Sequence, residues 1–240
     1  MRKKAFTLAE VLITLGIIGI VAALTIPSLI QKYKKIQYVT GLQKGYTIMS
    51  NAMKKLLTDT GCDDLKCTGV FDNPLDADKM EQMVRKYFNV VKICKSGDES
   101  CNYMWYKLHG EEFKEVGADN DTFMFVTTDG IAYFLNSILT TDKPTQDGLS
   151  KIKYSIGIDI DINYNKKPNT RGRDIHGFQI AQDGTLYPFR GKEWAKYKGN
   201  STGYYWKDYN SAYCSMTSKN DSNGDGCIAR IMENGWVMDY

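Results

Sequence analysis

Histidine is almost missing from this chain: His109 and His176 are the only two in 240 residues. Neither belongs to a His-Glu-x-x-His run, which removes the paired-histidine zinc hydrolases. A Gly-x-Ser-x-Gly nucleophile elbow and a phosphate-cradling glycine loop are absent too. The six cysteines include no Cys-x-x-Cys pair and have no histidine beside them, so zinc is a poor reading of them. Glu111 and Glu112 are neighbours whose side chains diverge, a poor general acid and base. An enzyme is not expected.

Net charge is missing as well. The formal value is +3, yet removing Arg2, Lys3 and Lys4 from the 31 basic side chains leaves 28 against 28 acidic ones. Beyond those first residues no net electrostatic case for binding nucleic acid remains; Lys32, Lys34 and Lys35 form a local basic patch, read as facing phospholipid headgroups in preference to nucleic acid.

What the chain does have is one long apolar stretch, Phe6 to Ile30, FTLAEVLITLGIIGIVAALTIPSLI, with Glu10 its one formal charge. As a helix of ~1.5 Å rise per residue it is roughly 37 Å long, against about 30 Å of bilayer hydrocarbon. MRKKA precedes it, a very short basic region of export type. Two cleavage positions compete. A secretory cut after Val21-Ala22-Ala23 would discard the helix, and with it a carboxylate that costs about 2.5–3.5 kcal/mol at a bilayer centre with nothing gained. A cut between Ala5 and Phe6 keeps the helix and gives Glu10 a purpose.

Lys4, Ala5, Phe6, Thr7, Leu8 and Glu10 together resemble the opening of the type IV pilin and type II secretion pseudopilin family. In that family a short basic leader abuts a Phe-Thr-Leu-x-Glu run. Ala5 stands where the family most often has Gly. The resemblance implies that a prepilin peptidase cuts after Ala5 and methylates the new amine of Phe6. It also implies an inner-membrane protein with a periplasmic or exterior head, and other pilin or pseudopilin subunits as partners. Helix geometry sets Glu10 one turn deeper than the Phe6 amine, so a staggered neighbour supplies the better ion partner and the pairing fixes axial register.

Further along, Gly16 and Gly19 permit close helix contact, and Pro27 removes one backbone bond and is expected to bend or locally melt the helix. Ile36, Val39, Leu42, Tyr46, Met49, Met53 and Leu56 then recur at steps of three and four, an apolar stripe ending near Thr60 and Gly61. Asp78 and Glu81 suggest a capping box for a helix through Phe88, with Met80, Val84 and Tyr87 on its apolar face. Runs at 122–127 and 131–136 flank Thr128-Asp129-Gly130, and runs at 175–181 and 185–189 flank Asp183-Gly184. These are hairpin signals, and 154–162 alternates as a half-buried strand does. The expectation is an α+β chain: leader 1–5, helix 6–60 with 6–30 as membrane and assembly segment, and a head over 61–240 built on an antiparallel sheet.

Exported cysteines are read as disulfides, and proximity alone, among fifteen possible pairings, suggests Cys62 with Cys67, Cys94 with Cys101 and Cys214 with Cys227. Two stretches carry oxygen ligands for Ca²⁺. Asp159, Asp161, Asn163, Asn165 and Asp174 are one, set against a solvated edge and turn. Asp221, Asn223 and Asp225 in DSNGDG open like an EF-hand loop, but its twelfth position is Met232 and not Glu, so a polar disulfide loop is favoured and no cofactor is expected. Tyr204, Tyr205, Trp206 and Tyr209 pack a loop-rich head or form a contact surface. The reading is a structural filament subunit; the alternative is a minor, filament-tip binding or adhesion module on the same helix, presenting the aromatic and DSNGDG regions.

Overall fold

Apolar residues at steps of three and four need a partner surface, and strands that alternate supply one. The computed structural model describes residues 7–71, 76–118, 122–139, 155–197, 207 and 212–240. Its first helix, α1, spans Leu8–Thr60 and continues through Pro27, whose one missing bond does not interrupt it. Residues up to Gln37 and from Tyr38 onward form two compact units, so the division falls inside α1 and not at its end.

In the first unit Leu12, Ile13, Ile17, Ile18, Ile20 and Leu24 are exposed. Ile36, which the spacing adds to the stripe, is exposed as well; the buried stripe begins at Val39 and runs through Leu42, Met49, Ala52, Met53 and Leu56. Gly41 and Gly45 sit within it. A Cβ on Gly45 would lie 2.8 Å from Ile160 Cγ2 and one on Gly41 3.1 Å from Ile162 Cδ1, so only glycine lets the helix backbone come this close. The Tyr133 hydroxyl donates to the Gly45 carbonyl at 3.1 Å, joining helix to sheet through a polar contact in an apolar layer.

Six strands form that sheet: β1 Val90–Cys94, β4 Thr122–Thr127, β5 Ala132–Leu139, β6 Ser155–Asp161, β7 Ile175–Ala181 and β8 Leu186–Pro188, antiparallel and adjacent in that order. Period-two alternation puts Phe125, Tyr133, Leu135, Ile156, Ile158, Ile160, Phe178 and Ile180 into the layer shared with α1. The opposite face carries Met124, Val126, Ala132, Phe134 and Ile175. A separate hairpin, β2 Tyr103–Tyr106 with β3 Glu112–Val116, covers them, Trp105 meeting Phe134 edge-on at 5.0 Å between ring centroids. Gly130 and Gly184 take φ of 77° and 80° in the two tight turns, a backbone that side chains rarely adopt.

The second helix, α2, spans Ala77–Tyr87 and buries Met80, Met83 and Val84. Its cap is Asp76 and not Asp78: the Asp76 carboxylate accepts from Asp78 N at 3.0 Å and Lys79 N at 3.1 Å. Glu81 instead bonds Arg85 one turn on and Lys95, since the chain enters the helix two residues earlier than a cap at Asp78 requires. Two short helices that the sequence did not announce follow, α3 Lys192–Tyr197 and α4 Cys227–Glu233.

Candidate functional site

Thr7 and Glu10 close the start of α1 on each other. Glu10 Oε2 accepts from Thr7 N at 2.8 Å and Thr7 Oγ1 at 2.9 Å, and Thr7 Oγ1 accepts from Glu10 N at 3.2 Å. This is a reciprocal capping box, whose signal in the sequence is the Thr-x-x-Glu spacing. Oε1 takes no partner among the described residues. Deeper in the stretch, Thr14, Thr25 and Ser28 return their hydroxyls to carbonyls three or four residues back, at 2.9 Å each. No polar side chain there asks for water, and the helix is long and apolar enough to cross a membrane. Ala5 and Phe6 lie outside the described residues, as do Tyr204, Tyr205, Trp206 and Tyr209.

The disulfides are Cys62–Cys67, Cys94–Cys101 and Cys214–Cys227. Inside the last, the three side chains of the EF-hand-like opening each have a different task. Asp221 is exposed and pairs with Lys107 at 2.8 Å. Asn223 is fully buried: its Nδ2 donates to the carbonyls of Ser215 and Ser218 at 2.8 and 2.9 Å, while its Oδ1 accepts from Ser215 N at 3.1 Å. Asp225 pairs with Arg171, tying the loop to the sheet layer. Burial pushes the Asp225 carboxyl up to about 6.

The acidic stretch before it divides likewise. Asp161 is fully buried and accepts from the Tyr103 hydroxyl at 2.7 Å and from Asn163 N at 3.0 Å. Asp174 is also fully buried and accepts from Asn169 N at 2.9 Å and Thr170 N at 2.7 Å. Burial raises both, Asp161 well above the usual carboxylate range and Asp174 to about 6. These carboxyls hold turn and hairpin to the sheet, a task that alternation alone does not reveal. Asp159 stays apart, accepting from Asn136 Nδ2 at 3.2 Å. His176 is buried with its Nε2 on the Arg173 carbonyl at 3.0 Å, and burial lowers its pKa to about 4. His109 contacts Glu111 at 3.0 Å and Asn223 at 3.2 Å, a support for the loop.

A long N-terminal helix, an antiparallel sheet and three disulfides constitute an α+β, pilin-like fold. The first 26 residues match the family model described as the prokaryotic N-terminal methylation motif, the prepilin motif of type IV pilins and pseudopilins. That motif supports a precursor of the pilin or pseudopilin type, and the proteins that carry it are structural subunits. No curated protein and no solved structure matches the chain.

Proposed function

We propose that this protein is a structural subunit of a type IV pilus or type II secretion pseudopilus, made as a precursor with leader 1–5, helix 6–60 and head 61–240. Prepilin peptidase cuts after Ala5 and methylates Phe6 in the bacterial inner membrane. Glu10 then pairs with the Phe6 amine of a neighbouring subunit. The observation that carries this reading is the exposed apolar half of α1 opening on a single carboxylate, within a matched methylation motif. Exposed Leu, Ile and Val at roughly 25 cal/mol per Å² are costly in water and find burial in lipid first and against other helices second. The capping box leaves Glu10 one oxygen to offer an ammonium group while it holds the helix start.

The test is Glu10→Ala beside Glu10→Gln in the native host, scored for incorporation into filaments and for the three disulfides. Both variants should fold and oxidise normally. Alanine should abolish incorporation and glutamine, which keeps the cap but not the charge, should fail as well. Normal incorporation of the glutamine variant refutes the charge pairing. Intact mass of the membrane-extracted protein should show loss of Met1–Ala5 and one added methyl group.

A further inference from the structure

Beyond the β2–β3 hairpin the outer face of the sheet changes character. Apolar residues give way to Asn136, Asp159 and Gln179, with Gly157 facing Gln179 and Gly177 facing Asp159 across the β6–β7 ladder. Neither glycine has a positive φ. A Cβ on Gly157 would meet nothing nearer than 3.5 Å, so neither backbone nor crowding requires glycine there. Glycine inside a strand weakens it, and what it provides here is room. The room is a cavity of about 230 Å³ floored by the two glycines, with Phe189 as its apolar wall.

We infer that this cavity binds one neutral, polyhydroxylated ring, a monosaccharide unit, on the outer face of the sheet. Its size is below the roughly 300–1,000 Å³ of pockets for drug-sized ligands, which suits a single ring. Its polar groups are a carboxylate, two carboxamides and a guanidinium, the mixture of acceptors and donors that hydroxyl groups satisfy in both directions. Gln179 is only 8 % exposed, and its Nε2 lies 3.6 Å from where a Cβ on Gly157 would stand, which sets an amide donor at the glycine floor where a hydroxyl oxygen can accept. Charge points to a neutral occupant. Arg171 is committed to Asp225 and stacked on the Phe113 ring at 4.6 Å, and the other formal charge in the lining is the Asp159 carboxylate, so the lining offers no spare cation for phosphate or for the carboxylate of an amino acid. A smaller cleft of about 60 Å³, shared through Asn136 and Asp159 and reaching Trp105 and Lys114, gives a ring substituent somewhere to go. This inference does not depend on which filament the chain serves.

The experiment is saturation-transfer NMR on the full chain in a sugar-free zwitterionic detergent, with glucose, galactose, mannose and N-acetylglucosamine as probes and glycine and methylphosphonate, whose carbon-bound protons report binding, beside them. At least one sugar should receive saturation and the other two probes none. Gly157→Val, which fills the floor, and Asp159→Asn should each weaken the sugar by about tenfold or more. Near-UV circular dichroism reports whether each variant folds; if the valine variant does not, Gly157→Ala replaces it, since its Cβ makes only ordinary contacts. Absence of transfer to all four sugars, transfer to glycine or methylphosphonate alone, or a sugar signal unchanged in the folded variants overturns the inference.

Discussion

Removing the Cys214–Cys227 link tests what holds the C-terminal loop. The two cysteines are 13 residues apart and fully buried beside Leu108 and Tyr240. In the chain-entropy description a loop of about 15 residues gains about 3 kcal/mol from closure, set against a net stability of about 5–15 kcal/mol. For a chain of this size 1 kcal/mol moves Tm by about 2–4 °C, so Cys214→Ala with Cys227→Ala should melt about 6–12 °C lower. Alanine is the better replacement, because a serine hydroxyl left without a partner in that apolar site adds about 1–3 kcal/mol of its own. The loop should not come away entirely, since Asn223 and the Arg171–Asp225 pair remain. The assay is near-UV circular dichroism against temperature on the full chain in detergent, with and without EDTA and with calcium added back. EDTA should leave the oxidised parent unchanged, because Asp221, Asn223 and Asp225 already have protein partners. A double variant that melts with its parent refutes the entropic account. An EDTA-induced drop reversed by calcium refutes the assignment of those three side chains.

Gly45→Leu should destabilise by about 1–3 kcal/mol or more, read from the urea midpoint, because its Cβ would press on Ile160 Cγ2 at 2.8 Å. Asp76→Ala should cost about 1 kcal/mol in the same assay and expose α2 to faster amide exchange. Stability should fall as pH rises from about 4 to about 6. Asp174 and Asp225, ordinarily near 3.8, keep protons in the folded state up to about 6 that the unfolded chain has already released, and Asp161 acts in the same sense. His176 opposes them, since the unfolded chain binds its proton near 6.5 and the folded one only near 4. Three carboxyls outweigh one histidine, so urea midpoints at pH 4, 5 and 6 should decrease in that order; a rise would refute the burial argument.

The local signals were sufficient where local physics is sufficient. The apolar run, its carboxylate and its basic leader lie within a few turns of one another, and their meaning needs no tertiary partner. The stripe from Val39 to Leu56 and the Asp-Gly and Thr-Asp-Gly turns were legible because helix and hairpin geometry repeat at fixed short intervals. Proximity in sequence picks three local pairs out of fifteen possible pairings, and the same three are joined in space. The cap at Asp76 was missed because Asp76 and Asp78 offer the same chemistry and only the chain's entry path separates them. Other features have no local signal at all. Gly41 and Gly45 look like weak points in a helix until Ile162 and Ile160 arrive against them from more than a hundred residues away. The acidic residues from Asp159 to Asp174 look like one oxygen cluster until the sheet turns Asp161 under Tyr103, gives Asp174 to a backbone turn and leaves Asp159 over a glycine floor. Which side chains share a helix face follows from the periodicity of one segment, while which buried charges find partners depends on segments that meet only when the chain has folded.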